Sequence, residues 1–160
     1  MKKILILLFL FLLVPVVRAE EEDLAPNAKS AIMIEASTGE ILFQKNKDEK
    51  LAPASMTKMM SMLLIMEEIE NGNLKWDEMI TASEKAASMG GSQIFLKVGE
   101  KMSVTDMLKG ISIASGNDAT VAMAERISGS EESFVKKMND RAKELGLKNT
   151  NFVNTTGLTA

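Results

Sequence analysis

The sequence predicts an α+β fold, and two features of the chain indicate it. Near the N-terminus, two short apolar runs flank a Ser-Thr-Gly turn at 37–39, which is the pattern of a β-hairpin. After residue 53, most of the chain has the apolar spacing and the cap residues of helices. The length of 160 residues, set against about 150 for a typical domain, allows one domain and little more.

The first 19 residues have the pattern of a secretory signal peptide. Lys2 and Lys3 precede an apolar run from 4 to 17, and Val17-Arg18-Ala19 puts compact residues where a signal peptidase reads. We therefore expect cleavage after Ala19. The alternative is an uncleaved membrane anchor, but this apolar run falls short of the roughly 20 residues that a spanning helix needs.

Three segments follow from this interpretation: a signal peptide at 1–19, an acidic leader at 20–27 and a domain at 28–160. Cleavage would remove three basic residues and leave 16 basic against 22 acidic groups. The mature chain is then expected to be an acidic exported protein.

The hairpin is predicted from Ala31 to Ala36 and from Glu40 to Gln44, with Gly39 supplying a positive φ in the turn. Both strands are expected to be mostly buried. A long helix is predicted to begin at Pro53-Ala54-Ser55 and to run to Gly72. Apolar side chains surround its middle almost completely, which favours a helix buried inside the domain with methionines as core filler.

The remaining elements are shorter. Small strands are predicted at 79–81 and 93–96, near several glycines. Ser103 followed by Asp106 resembles a capping box ahead of a helix. Two further helices are predicted, from about Asp118 to Ile127 and from Ser130 to Leu145, each stopped by a glycine.

The composition limits the chemistry that the chain can perform. It contains no Cys, His or Tyr, which excludes a thiolate nucleophile, a Ser-His-Asp triad and a cysteine-ligated zinc site. Few aromatic residues and a net charge of -3 argue against a base-stacking nucleic-acid surface. Among the groups that remain, a serine activated by a neutral lysine is an economical catalyst.

Ser55 and Lys58 have the spacing that such a pair requires. Residues three apart lie on one face of a helix, and burial would lower the lysine pKa from about 10.4. Ser55 would also lie at the positive end of the helix. The alternative is that Ser55 is only a helix cap. Ser133 and Lys136 share the spacing, but charged neighbours would keep that lysine hydrated, so we interpret the second match as accidental.

Ser115-Gly116-Asn117 lies between two predicted helices, where a loop can present polar groups into a cleft. Its hydroxyl and carboxamide could relay a proton and hold a substrate carbonyl. The alternative is that Asn117 or Asp118 caps the next helix.

Taken together, these motifs resemble those of the penicillin-binding proteins and serine β-lactamases. The flanking residues are more similar to the D-alanyl-D-alanine carboxypeptidases of bacterial cell-wall synthesis, over about residues 28–158. The similar segments are Ala54-Ser55-Met56-Thr57-Lys58, Gly90-Gly91-Ser92, Ile113-Ala114-Ser115-Gly116-Asn117-Asp118-Ala119 and Asn154-Thr155-Thr156-Gly157-Leu158. The resemblance implies a β-lactamase/DD-peptidase-like fold, with an N-terminal hairpin of an antiparallel sheet and a helical subdomain.

The resemblance also implies a role for each site residue. Ser55 would be the nucleophile and its backbone N–H half of an oxyanion hole, and Lys58 would be the base. Ser115 would relay protons, and Asn117 would bind the substrate amide and support Lys58. The implied substrate is a peptidoglycan stem peptide ending in D-Ala-D-Ala, with β-lactam antibiotics as acylating inhibitors. No metal or cofactor and no nucleic-acid partner is implied, and the implied location is the extracytoplasmic side of the bacterial plasma membrane.

One departure from the family pattern is clear. Family members carry a Lys-Thr-Gly motif on a later strand, and this sequence has none; Thr155-Thr156-Gly157 lacks the cation. We therefore expect an incomplete peptidase domain that lacks the C-terminal sheet strands and the membrane-associating segment, and that is poorly stable or inactive on its own. Membrane association would then come only through that missing segment or an uncleaved signal.

Three alternatives stay open at this point. A β-lactamase that deacylates quickly needs a positioned glutamate on a downstream loop, whereas Glu144, the last acidic residue, falls in a predicted helix. A non-catalytic penicillin- or muropeptide-binding domain could keep the acylation site. A purely structural exported helical domain would leave the presence of both motifs as coincidence.

Overall fold

A computed structural model describes residues 23 to 159. The predicted signal peptide at 1–19 and the start of the leader at 20–22 lie outside the described residues. The chain forms two compact units, one ending at Lys50 and the other beginning at Leu51, and each is described by itself. Within residues 23–159, no helix combines the length and apolar character that crossing a bilayer requires.

The first unit contains the predicted hairpin. Strands β1 (Ala31–Ile34) and β2 (Ile41–Lys45) pair antiparallel, with a register shift between Met33 and Ile34. Gly39 in the connecting turn has a φ of 74°, which is the positive value expected for it. The prediction of a hairpin is therefore confirmed.

The prediction that both strands are mostly buried is wrong. Most hairpin side chains are exposed, including Ile34 at 55%. Among residues 23–159 this sheet contains two strands, and a two-stranded ribbon buries little of its side chains. The apolar composition of the strands was therefore a poor guide to their burial.

The second unit begins with a 3₁₀ helix at Ala54–Thr57 that continues directly into α1 (Lys58–Glu70). The predicted helix is confirmed, but its complete burial is not. One face is buried and carries Lys58, Met60, Ser61, Leu64 and Ile65. The opposite face is open, with Met59 67% exposed, because the other helices pack against only one side of α1.

A second small sheet follows α1. The predicted strand at Met79–Thr81 is present as β3, and its antiparallel partner is β4 (Lys101–Ser103). The predicted strand at 93–96 is absent. This segment is an irregular loop in which Phe95 has a φ of 62°, and its backbone N–H groups bond to the carboxylate of Asp118 instead of to a strand. A short helix, α2 (Glu84–Ala87), was not predicted.

Three helices complete the unit: α3 (Val104–Ala114), α4 (Asn117–Ser128) and α5 (Glu131–Glu144). All three were predicted, the bounds of α4 and α5 to within a residue or two and α3 by its start at Ser103. Ser103 caps α3 as expected, since its hydroxyl accepts from the Asp106 N–H at 3.1 Å. Gly129, at a φ of 79°, ends α4.

Helix α4 is the centre of the second unit. Every residue from Asn117 to Ala124 is buried, and the helix contributes side chains to both apolar clusters of the core. One cluster joins α4 to α1, α3 and the second sheet, and the other joins it to α1 and α5 through Phe134 and Met138. Residues that precede or begin α4 are therefore held by the best-packed part of the unit.

Asp118 links α4 to the loop at 93–96. Its buried carboxylate accepts from the N–H groups of Ile94 at 3.1 Å and Leu96 at 3.0 Å. We expect Asp118→Ala to lower the free energy of unfolding by about 2–4 kcal/mol, because it leaves two backbone donors without an acceptor. Urea denaturation measures the change.

Asp140→Ala is the matched control, since Asp140 forms only exposed ion pairs with Lys136 and Lys143 on α5. Equal unfolding midpoints for the two variants would show that Asp118 does not hold the loop.

Candidate active site

The amine of Lys58 is the centre of the site. Its Nζ lies 3.2 Å from Ser55 Oγ, 3.2 Å from Ser115 Oγ and 3.1 Å from the backbone carbonyl oxygen of Thr156. These partners come from three segments far apart in sequence. The structure therefore brings Ser55, Lys58 and Ser115 together, as the two motifs predicted.

Local backbone geometry explains the contact between Ser55 and Lys58. The 3₁₀ helix at Ala54–Thr57 places Ser55 one turn before Lys58, so both side chains lie on the same side. Ser55 is exposed, whereas Lys58 is only 2% exposed. An accessible hydroxyl thus lies against a buried amine, which is the arrangement that a serine nucleophile with a lysine base requires.

The environment of Lys58 favours its neutral form. Burial lowers the pKa of the amine below its ordinary 10.5. Its three hydrogen-bond partners are uncharged, and no carboxylate among residues 23–159 forms an ion pair with it. A larger fraction of the amine is therefore unprotonated at neutral pH than for a lysine in water.

Ser115 lies at the junction between α3 and α4. It has a φ of 55°, a left-handed conformation that is uncommon for serine, and Ala54 beside Ser55 has a φ of 49°. Strained backbone of this kind persists where the surrounding structure holds it, and it is concentrated at functional sites. Both hydroxyls that contact Lys58 are thus at or next to such a residue.

Asn117 is buried on the same short segment but forms no hydrogen bond with Lys58. Its Nδ2 donates to the Gly90 carbonyl at 2.7 Å, and its Oδ1 has no hydrogen-bond partner. The expectation that Asn117 supports Lys58 stays a prediction, since no hydrogen bond joins the two side chains. A buried carbonyl oxygen without a partner is unusual in a folded protein.

Sequence reasoning identifies the segment 154–158 by its resemblance to the family but does not predict its contact with Lys58. The Thr156 carbonyl accepts from Lys58 Nζ at 3.1 Å, and the Thr155 carbonyl accepts from Ser61 Oγ at 2.7 Å. The available signal was Gly157, where an added Cβ would overlap the Ala54 carbonyl. A glycine is required where two backbone segments approach so closely.

The second Ser-x-x-Lys match has none of these features. Ser133 is exposed, and Lys136 is 80% exposed and pairs with Asp140 on its own helix. The prediction that this match is accidental agrees with its surroundings.

Solved structures with this fold establish the structural class. The D-alanyl-D-alanine carboxypeptidase DacD of Francisella tularensis matches with a TM-score of 0.83 and 43% identity, over 91% of this chain and 35% of that one. Penicillin binding protein 5 of Haemophilus influenzae matches with a TM-score of 0.80 and 38% identity, over 83% of this chain and 40% of that one. The fold is therefore β-lactamase/DD-peptidase-like, as predicted.

The sequence comparison is more specific. The family model for D-alanyl-D-alanine carboxypeptidase matches residues 16–160. DacF of Bacillus subtilis, a D-alanyl-D-alanine carboxypeptidase, is 67% identical over 86% of this chain and 35% of its own length. DacC of Escherichia coli is 41% identical over 95% of this chain and 40% of its own length. The chain belongs to the D-alanyl-D-alanine carboxypeptidase family, and it spans less than half the length of these relatives.

A substitution at Gly91 tests whether its close contact with the Asn117 side chain constrains the site. A Cβ at Gly91 would lie 2.8 Å from Asn117 Nδ2, and the residue has a φ of 74°. We expect Gly91→Ala to lower the free energy of unfolding by about 2 kcal/mol, because the left-handed backbone and the displaced Asn117 amide both disfavour a methyl group. Thermal and urea unfolding measure the loss.

Gly90→Ala is the neighbouring control, since no atom lies within 4 Å of its added Cβ. If the two substitutions have the same effect, the contact between Gly91 and Asn117 does not constrain the site.

Proposed function

We propose that this chain carries the catalytic serine of a D-Ala-D-Ala carboxypeptidase, which removes the terminal D-alanine of peptidoglycan stem peptides through an acyl-enzyme. The observation that carries the proposal is the buried Lys58 amine in contact with both Ser55 Oγ and Ser115 Oγ. Membership of the family supports it, because the relatives' names describe this activity.

Acylation begins at Ser55. Its Oγ attacks the carbonyl carbon of the penultimate D-alanine while its proton passes to the neutral Lys58 Nζ. The tetrahedral intermediate then collapses and the peptide bond breaks. The leaving amine takes a proton from Lys58 through the Ser115 hydroxyl, which restores the neutral lysine and releases D-alanine.

Deacylation uses the same groups in the reverse direction. Water attacks the ester carbonyl and gives up a proton to Lys58, directly or through Ser115. The ester C–O bond breaks, and the proton returns to Ser55 Oγ. We assign Asn117 to the substrate backbone in both steps, because its Oδ1 has no hydrogen-bond partner within residues 23–159. The sequence holds no Lys-Thr-Gly, so no residue is assigned to the substrate's terminal carboxylate.

Rapid β-lactam hydrolysis is a less favoured function for this site. Glu144 at the end of α5 is paired with Arg141, and Glu131 is held by Thr155 and Lys85. Within the described part of the chain, neither carboxylate forms a hydrogen bond with Ser55 or an ion pair with Lys58. We therefore propose that β-lactams act as slowly released acylating inhibitors.

The proposed substrate indicates where in the cell the protein would act. Peptidoglycan stem peptides lie outside the plasma membrane, and the basic and apolar pattern of residues 1–19 is that of an export signal. We propose that the protein works on the extracytoplasmic side of the bacterial plasma membrane, with 20–27 as a leader to the peptidase domain that starts at 28.

Covalent labelling tests the nucleophile. The protein, as its gene encodes it, is incubated with a fluorescent penicillin and separated on a denaturing gel. We expect Ser55→Ala to abolish the label and the release of D-alanine from a D-Ala-D-Ala peptide, because no acyl-enzyme can form.

Ser133→Ala is the control within the same chain, since Ser133 has the same spacing to a lysine but an exposed one. It should label as the unmodified protein does. Labelling that survives Ser55→Ala, or nitrocefin turnover faster than D-alanine release, would reject the proposed function.

The protonation state of Lys58 gives a second prediction. Because only the neutral amine accepts the Ser55 proton, the acylation rate should rise as pH passes through the Lys58 pKa. Burial lowers that pKa, so the midpoint should lie below 10.5. Lys58→Arg should slow acylation by about 100-fold or more at every pH, because arginine stays protonated.

Lys136→Arg should leave both rate and midpoint unchanged, since Lys136 is exposed on α5. The role of Lys58 as base is contradicted by a midpoint at or above 10.5, or by a fast Lys58→Arg variant.

A further inference from the structure

Among residues 23–159, the hydrogen-bond partners of Lys58 are two hydroxyls and one backbone carbonyl, and the carbonyl belongs to the turn at 154–157. Within the turn, Asn154 Oδ1 accepts from the N–H groups of Thr156 at 3.2 Å and Gly157 at 2.7 Å. The carbonyls of Thr155 and Thr156 point to α1, where they accept from Ser61 and Lys58. Both threonines are at most 1% exposed, so the turn forms part of the wall around the amine.

The Thr156 carbonyl restricts how the Lys58 amine can be oriented. A carbonyl oxygen only accepts, whereas the hydroxyls of Ser55 and Ser115 can donate or accept. In the neutral amine, one N–H must therefore point to Thr156. The second N–H and the lone pair then share the two remaining directions, which lead to Ser55 and Ser115. A fixed carbonyl thus keeps the lone pair directed at a hydroxyl that has a proton to give.

Glu131 fixes the turn from the outside. This residue begins α5, and its Oε1 accepts from the Thr155 N–H at 3.1 Å and from Thr155 Oγ1 at 2.8 Å. Its other oxygen, Oε2, lies 2.9 Å from Lys85 Nζ on α2. The side chain of Glu131 is 12% exposed. A single carboxylate therefore joins two helices to the turn that contacts Lys58.

We infer that Glu131 is a positioning residue for the reaction, which holds the Thr156 carbonyl against Lys58 by anchoring Thr155. The inference rests on the proposed function, because it matters only if Lys58 is the base. Glu131 does not touch the nucleophile. It acts through the turn at 154–157, whose carbonyls also bond to α1, while Asn139 on α5 holds the backbone of Phe152 just before the turn.

The charge state of Glu131 is consistent with this role. Burial acts to raise the pKa of its carboxyl, but hydrogen bonds from Lys85 and Thr155 outweigh burial and keep the pKa below 4.5. At neutral pH the group is a carboxylate that only accepts, which suits two donors from Thr155 and one from Lys85.

Two substitutions at Glu131 separate anchoring of the turn from the ion pair with Lys85. Glu131→Gln keeps an oxygen that accepts from Thr155 but loses the charge, whereas Glu131→Ala loses both. We expect Glu131→Ala to slow penicillin acylation by about 10- to 100-fold, the size of effect that follows from misplacing a catalytic group. The acylation rate of Glu131→Gln should stay within about threefold of that of the unmodified protein.

The pH profile provides a readout that a loss of stability alone would not move. With the turn loosened in Glu131→Ala, water reaches Lys58 and its pKa returns toward 10.5, so the rise in acylation should shift to higher pH. In Glu131→Gln the profile should not shift. All rates are measured on the protein as its gene encodes it, at a temperature where circular dichroism shows each variant folded.

Glu132→Ala is the matched control. Glu132 also forms an ion pair with Lys85, at 2.8 Å, but the hydrogen bonds from Thr155 go to Glu131 and not to Glu132. Its acylation rate and profile should equal those of the unmodified protein. If Glu131→Ala does not fold, Thr155→Val is used instead, because it removes one of the two donors to Glu131. Thr155→Val should slow acylation, but by a smaller factor than the roughly 10- to 100-fold expected for Glu131→Ala.

Each outcome decides the inference. It is supported by a slow Glu131→Ala variant, or a slowed Thr155→Val variant, with Glu131→Gln near normal. It is overturned if Glu131→Ala or its substitute acylates normally with an unshifted profile, or if Glu131→Gln is as slow as Glu131→Ala. Ser55→Ala is measured in parallel. If Ser55→Ala still labels, the proposed function is wrong; if it does not label but Glu131→Ala acylates normally, only the inference about Glu131 is wrong.

Discussion

A lysine amine enclosed by uncharged groups is the constraint around which the second unit is organised. Taking an ammonium out of water is expensive unless a counter-ion lies beside it, and the described residues provide Lys58 with two hydroxyls and a carbonyl instead. The same burial that disfavours the charged form lowers the pKa of the amine and favours the neutral form, which can accept a proton. The unfavourable burial is therefore what the proposed chemistry depends on, and the rest of the unit must supply the stability that maintains it.

That stability comes from packing around α4. The helix is buried along most of its length and begins at Asn117, two residues after Ser115. Two acidic residues, Asp118 buried and Glu131 partly buried, then hold irregular backbone near the site: Asp118 accepts from the loop at 93–96, and Glu131 accepts from the turn at 154–157. Carboxylates suit this task because they accept several N–H groups at once, which backbone outside regular helices and sheets leaves unpaired.

Features set by local geometry could be predicted from the sequence, whereas features set by distant partners could not. The caps at Ser103 and Gly129 and the spacing of Ser55 and Lys58 depend on neighbouring residues, and all were predicted. The apolar residues at 93–96 predict a strand, but the structure has a loop there. The carboxylate of Asp118 binds the backbone of this loop, and the apolar residues themselves do not indicate that distant partner. The Thr156 carbonyl was missed for a related reason: a backbone oxygen has no residue type by which a motif could reveal it.

The two Ser-x-x-Lys segments separate what a motif specifies from what a fold adds. Spacing alone brings serine and lysine to one side of a helix, and Ser133 and Lys136 satisfy it as well as Ser55 and Lys58 do. On the surface of α5, however, Lys136 is 80% exposed and paired with Asp140. At α1 the lysine is enclosed by segments from residues 115 and 156, which arrive only when the chain has folded. The basicity of a lysine in such a motif is therefore decided by residues outside the motif.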